Sequence, residues 1–302
     1  MVFLGTHSLL DLQKTSMKDV MLYLGCPQWS SSHWKGRFFS QHCQNANMLK
    51  EYAGIFNSVE GNTSFYANPK PDTILQWRDA VPDDFKFTFK VSKHITHELA
   101  LQNCQKETLE WCNLFSPLFE KMAMIMVQLP ANCGPEHLYR IEQFVTMLPK
   151  ELCVGIEVRN LGFFQKDENE KRFNQYLIQH NINRIIMDTR PLFSEPANTP
   201  AIIDAQLKKP RVPVNVIATG NRPMVRFVGC SNLKENRHFY APWLNKIRGW
   251  LKEGKEPLVF FHTADNYDSP LLARQFTQDL GIDHKVLHPF PAEQQPKQGS
   301  LL

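Results

Sequence analysis

Eight short apolar runs, each followed by a stretch with helical spacing, constrain this chain more than any other feature. They cover residues 21–25, 55–60, 85–90, 123–129, 152–158, 184–188, 224–228 and 258–262. Continuous apolar stretches such as MIMVQL at 124–129 and PLVFF at 257–261 suit parallel strands buried on both faces. Parallel neighbours need crossover connections, and the intervening segments 48–56, 71–80, 106–121, 135–148, 168–180, 242–252 and 269–280 carry helical patterns. Asp167 and Ser269 stand where two of these helices would be capped, and Pro270 suits a first turn. Eight strands alternating with helices predict a closed α/β barrel of the (β/α)8 TIM type, a single domain. No G-x-G-x-x-G follows the first run, which argues against a dinucleotide fold.

The barrel is expected to span residues 21–288. Residues 1–20 have no place in the alternation and read as an N-terminal extension outside it, absent altogether if translation starts at Met21. Residues 289–302 are Pro/Gln-rich and read as a disordered tail. The Pro-rich segment 191–213, with a short helical candidate at 202–209, reads as a long loop after the sixth strand.

Of the 302 residues, 42% are hydrophobic and 21% charged, which is ample for a large core. The net charge of +4 is compatible with anionic partners and demonstrates none. Seven cysteines, none in a C-x-x-C spacing, point to reduced thiols and a cytoplasmic setting. No run approaches the roughly 20 apolar residues of a membrane helix.

In a (β/α)8 barrel, chemistry sits where the strands end. The expected strand ends deliver Gln28 and Trp29, then Glu60, Asn62 and Tyr66, then Lys90, His94 and His97, then Gln128. The later strands deliver Glu157 and Arg159, Asp188 and Arg190, Arg226, and finally His262, Asp265 and Asn266. Glu157 and Arg159 are two apart and share one side of their strand, as do Glu60 and Asn62. Charges on the inner face of a barrel must pair or bind something. One reading is a structural network in which Glu157, Arg159 and Glu60 cap the core. The reading preferred here is an enzyme acting on an anionic, phosphate-bearing ligand. Lys90, Arg159 and Arg226 would hold the anion, and Glu60, Glu157 or Asp188 would serve as base or metal ligand. Gln28, Trp29, Asn62, Tyr66, His97, Gln128 and His262 complete the candidate ligand contacts. The alternative is a binding module that recognises nucleic acid or a replication partner without chemistry. No cofactor is assigned.

Further motifs admit competing readings. His94-x-x-His97 with Glu60, Glu157, Asp188 and His262 offers donors for a metal, or His97 simply bonds a neighbouring carboxylate. Trp29, Trp34, Phe65 and Tyr66 are either a stacking platform or packing for long loops. Cys26 is a nucleophile or a small buried hydrophobe. Glu60 and Glu157 could be the opposed carboxylates of a glycosidase, although Arg159 would keep Glu157 ionised.

Several stretches occur together: Gly25-Cys26-Pro27-Gln28-Trp29, Trp34-Lys35-Gly36, Val59-Glu60-Gly61-Asn62-Thr63-Ser64-Phe65-Tyr66, Ile95-Thr96-His97, Gln128-Leu129-Pro130 and Glu157-Val158-Arg159. In combination they resemble the YecE-like family, known as domain of unknown function 72, from Met21 to the C-terminus. The resemblance implies a TIM-barrel fold and brings no established reaction, cofactor or catalytic residue. Many relatives carry an asparagine pair after strand eight, where this chain reads Phe261-His262-Thr263-Ala264-Asp265. Separately, the final residues, Gln298-Gly299-Ser300-Leu301-Leu302, resemble the pentapeptide that binds the bacterial sliding clamp. Gln298, Leu301 and Leu302 are therefore expected partner-binding residues.

Overall fold

A computed structural model describes residues 21–294. Gln298, Leu301, Leu302 and the extension 1–20 lie outside the described residues. Among the described residues, nine strand segments are interspersed with helices: β1 Tyr23–Gly25, β2 Ser58–Gly61, β3 Lys86–Lys90, β4 Met122–Gln128, β5 Val154–Glu157, β6 Asn183–Arg184, β7 Ile186–Asp188, β8 Met224–Val228 and β9 Leu258–His262. The helices are α1 Met48–Ala53, α2 Thr63–Tyr66, α3 Pro71–Asp79, α4 Gln105–Phe115, α5 Leu138–Val145, α6 Glu168–Gln179, α7 Arg190–Ser194, α8 Pro200–Lys208, α9 Asn236–Lys252 and α10 Ser269–Leu280.

The fold is α/β with two parallel sheets, ordered β1-β9-β8-β7 and β2-β3-β4-β5-β6. The expected sixth strand is divided at Ile185, because β6 pairs with β5 while β7 pairs with β8. The sheets also approach at β1 and β2. Glu60 N donates to Cys26 O at 3.1 Å, and the Asn57 side chain bonds both Leu22 O and Leu24 N at 2.8 Å. Gly25 sits at this contact, where an added Cβ would collide with the Ser58 carbonyl.

Alternation along the strands sorts side chains into two layers. Tyr23, Met124, Met126, Ile185, Met224, Leu258 and Phe260, drawn from both sheets, form one inner cluster. Val59, Phe87, Phe89, Ile125, Val127, Ile156, Ile186, Val225, Phe227, Val259 and Phe261 point the other way and pack with the helices. The Lys-Phe-Thr-Phe-Lys run of β3 shows why. Its phenylalanines join Trp77 and Phe115 in an outer aromatic stack, which turns Thr88 and Lys90 inward.

Some expectations need correction. Asp167 does cap α6, accepting from Asn169 N and Glu170 N, but Ser269 caps nothing and its buried hydroxyl has no partner. Helix α9 begins six residues before Pro242 and carries that proline inside it. Residues 289–294, expected to open a disordered tail, are folded: Phe290 is buried under the Arg274 guanidinium, and Glu293 pairs with Arg274 at 2.8 Å. Among the described residues, no helix is long and apolar enough to cross a membrane.

Candidate functional site

Where the strands end, the inner layer turns from apolar to polar. The last inward positions of β2, β3, β4, β5 and β9 are Glu60, Lys90, Gln128, Glu157 and His262, and β8 adds Arg226. All six are less than 8% exposed, so their charges must meet one another rather than water.

Arg226 is the pivot. Its Nε and Nη2 reach the two oxygens of Glu60 at 2.8 and 2.7 Å, a bidentate fork, and its Nη1 bonds Glu157 Oε2. Arg159 grips the other Glu157 oxygen at 2.8 Å through Nε and Nη2. Lys90 Nζ donates to Gln128 Oε1 at 2.9 Å, lies 3.8 Å from Glu60, and sits 5.5 Å above the Phe65 ring. His262 Nε2 is 3.2 Å from Glu60 Oε2.

The electrostatics follow from burial set against pairing. Burial pushes the Glu60 carboxyl up, but Arg226, with His262 and Lys90, outweighs it and holds the group well below the usual range. Glu157 is likewise brought down to about 2 against the effect of burial, by Arg226, then Arg159 and Lys90. Burial lowers His262 to about 3 and His97 to about 4, so both imidazoles are neutral at pH 7. Lys90 is lowered well below its ordinary value, by burial and then by Arg226. A carboxylate held this firmly ionised is a poor general acid, which counts against the glycosidase reading of Glu60 and Glu157.

One group escaped sequence reasoning. Lys209 follows α8 in the long segment after β7, within electrostatic reach of Arg226, Glu60, Glu157, Arg159 and His262. Thr189 Oγ1, just beyond β7, donates to Pro210 O at 3.0 Å and anchors this segment at the strand ends. The sole signal was the length of the loop, since nothing local says where a loop lysine will point.

Other candidates fall elsewhere. Asp188 shares its strand face with the outward Ile186; it binds Arg190 through both oxygens and accepts from Trp243 Nε1 at 2.8 Å. It is an anchor for α9, not a base or metal ligand of the site. Trp29 packs edge-on against Trp77 and Phe87 in the outer layer, and Trp34 is fully buried among Phe38 and Phe39. Those two tryptophans therefore form no stacking platform. Gln28 is half-buried and stays outside the charged network, while Asn62 donates to Pro27 O at 2.7 Å and ties two strand ends together. Tyr66 is 79% exposed beside Phe65, and His97 packs edge-on to Phe65 with Nδ1 bonded to the Thr96 hydroxyl at 2.8 Å rather than to the expected carboxylate. His94 turns away to pair with Glu98. Cys26 is fully buried, which pushes its thiol well up, so it packs and does not attack. Among the described residues, no three His, Cys, Asp or Glu side chains are grouped to hold a metal ion.

The chain matches the model of the family described as "Protein of unknown function DUF72" over residues 23–298, and it belongs to that family. It is 38% identical to the UPF0759 protein YecE of Escherichia coli strain K12, over 93% of this chain and 100% of that one. The YecE of Escherichia coli O157:H7 matches with the same identity and coverage. Two solved structures of DUF72 family proteins share the fold. The one from Enterococcus faecalis V583 has a TM-score of 0.66 at 23% identity, covering 87% of this chain and 98% of its own. The one from Thermotoga maritima MSB8 has a TM-score of 0.65 at 21% identity, covering 87% of this chain and 100% of its own.

Proposed function

We propose that the two sheets are arcs of one closed (β/α)8 barrel, and that the cluster at its strand ends binds a small phosphate-bearing anion on which the chain acts as an enzyme. Closure is supported by the unbroken chain through Ile185 at one junction and by the Gly25, Cys26 and Asn57 contacts at the other. One observation carries the ligand reading. Lys90, Arg159, Lys209 and Arg226 converge on only two carboxylates, Glu60 and Glu157, and arginine already holds both. A basic group left without a carboxylate in a poorly hydrated site is costly, and a bound anion relieves it. Arg159 and Lys209, both partly accessible, are the contacts a phosphate would reach first, with Lys90 behind them. Arg226, committed to both glutamates, sets the geometry.

Titration calorimetry with inorganic phosphate, against chloride at matched ionic strength, tests this. Binding with micromolar to low-millimolar affinity is expected, weakened at least tenfold by Arg159→Gln. No heat beyond the chloride control at tens of millimolar phosphate would overturn it.

A further inference from the structure

Lys209 is held in place on both sides, yet its own ammonium has been given nothing to bind. Thr199 Oγ1 caps α8 by accepting from Ile202 N at 3.2 Å, and Gln206 Nε2 donates to Leu192 O and Glu195 O at 2.9 and 3.0 Å. Ala205 packs with Leu192 and Val228, and the Thr189–Pro210 bond fixes the chain immediately after the lysine. Among the described residues Lys209 Nζ has no hydrogen-bond or ion-pair partner. The two carboxylates in reach are already held by arginine. Burial, and then repulsion from Arg226, lower the group to about 8, which makes the free amine easier to reach than in an ordinary lysine.

We propose that Lys209 is an amine nucleophile that forms an imine with a phosphorylated aldehyde or ketone bound at the strand ends. The proposal rests on the anion site described above. The Nζ lone pair attacks the carbonyl carbon, a C–N bond forms, and the C=O π bond breaks. The carbonyl oxygen then leaves as water with two of the three ammonium protons, and the third stays on the iminium nitrogen. Ammonium plus carbonyl becomes iminium plus water, with no oxidant or further reactant. The positive charge is conserved, so Glu60 and Glu157 face a cation before and after the step. An unpartnered, partly shielded amine beside an anion anchor suits this chemistry, whereas a lysine serving purely as a counter-ion would sit on a carboxylate.

The test incubates the whole protein with glyceraldehyde 3-phosphate, reduces with sodium borohydride, and maps the modified lysines by peptide mass spectrometry. Unphosphorylated glyceraldehyde is run in parallel, as are Lys209→Met and Lys209→Arg. Phosphate binding is measured on each protein. The expected result is labelling at Lys209 at least tenfold above other lysines, at least tenfold less with glyceraldehyde, and suppressed by inorganic phosphate. Phosphate binding without selective Lys209 labelling overturns the imine and leaves the anion site standing. Selective labelling that phosphate neither binds against nor suppresses would uphold the nucleophile and sink the anion reading. Labelling spread evenly over surface lysines counts against the proposal.

Discussion

Two buried arginines, Arg184 and Arg226, look alike in the sequence and do opposite things. Arg184 points outward from β6 and meets Glu170 at 3.0 Å, Asn174 at 2.7 Å and the Phe163 carbonyl at 2.7 Å. Glu170 in turn accepts from Lys166 N and Asn215, and the rings of Phe164 and Phe173 cover the guanidinium. One cation meets one carboxylate, and Nη1 and Nη2 together make three hydrogen bonds. Around Arg226 the same chemistry stays unbalanced, because one arginine serves two glutamates while the side chains of Lys90, Arg159 and Lys209 crowd in. Burial alone therefore does not mark a site; what sets the Arg226 cluster apart is a basic group, Lys209, that no carboxylate has been given to hold.

The largest expected effect breaks the inner cluster. Arg226→Met should leave Glu60 and Glu157 without their shared partner and cost about 3–5 kcal/mol in urea unfolding. A loss below about 1 kcal/mol would mean the pivot has been misplaced.

Acid should attack the same region next. Glu157 has a folded value of about 2 against an ordinary 4.5, so its pairing stabilises the fold above pH 4.5 and is lost as pH falls towards 2. That amounts to roughly 3 kcal/mol. His262, lowered from 6.5 to about 3, acts in the same direction, since the unfolded chain takes up its proton first. Stability measured stepwise should thus decline from pH 6.5 downward, and Glu157→Gln should flatten the lower part of that slope. A curve level from pH 6.5 to 3 would contradict the assignment.

Arg184→Met sharpens the comparison from the other side. It should cost about 2–3 kcal/mol, because Glu170 keeps Lys166 N and Asn215 as donors. Phosphate affinity should not change; a weakened affinity would erase the distinction between the two arginines. Smallest in stability is Arg159→Ala, expected at under about 1 kcal/mol because Arg226 still holds Glu157 and Arg159 is partly exposed. Here the effect should appear in anion binding, and a loss of several kcal/mol would make Arg159 a structural residue after all.

The sequence by itself determined the strands, most helices, and the polar residues that finish each strand. Local periodicity encodes these, and β3 shows it best: alternating phenylalanine and polar residues state which face is buried against helices. Family membership was legible for the same reason, since the motifs sit in continuous stretches. Where a strand is apolar on both faces, the code falls silent. In residues 184–188 either face could be the inner one, and only packing against α9 decided that Asp188 leaves the site for Trp243. Trp29 likewise follows Trp77 into the outer layer, a contact across 48 positions that no window of sequence contains. Tertiary structure alone made Arg226 the bridge between strands far apart in the chain, and it alone brought Lys209 over them. Both depend on where separately encoded segments meet, which is fixed by the summed packing of the whole fold.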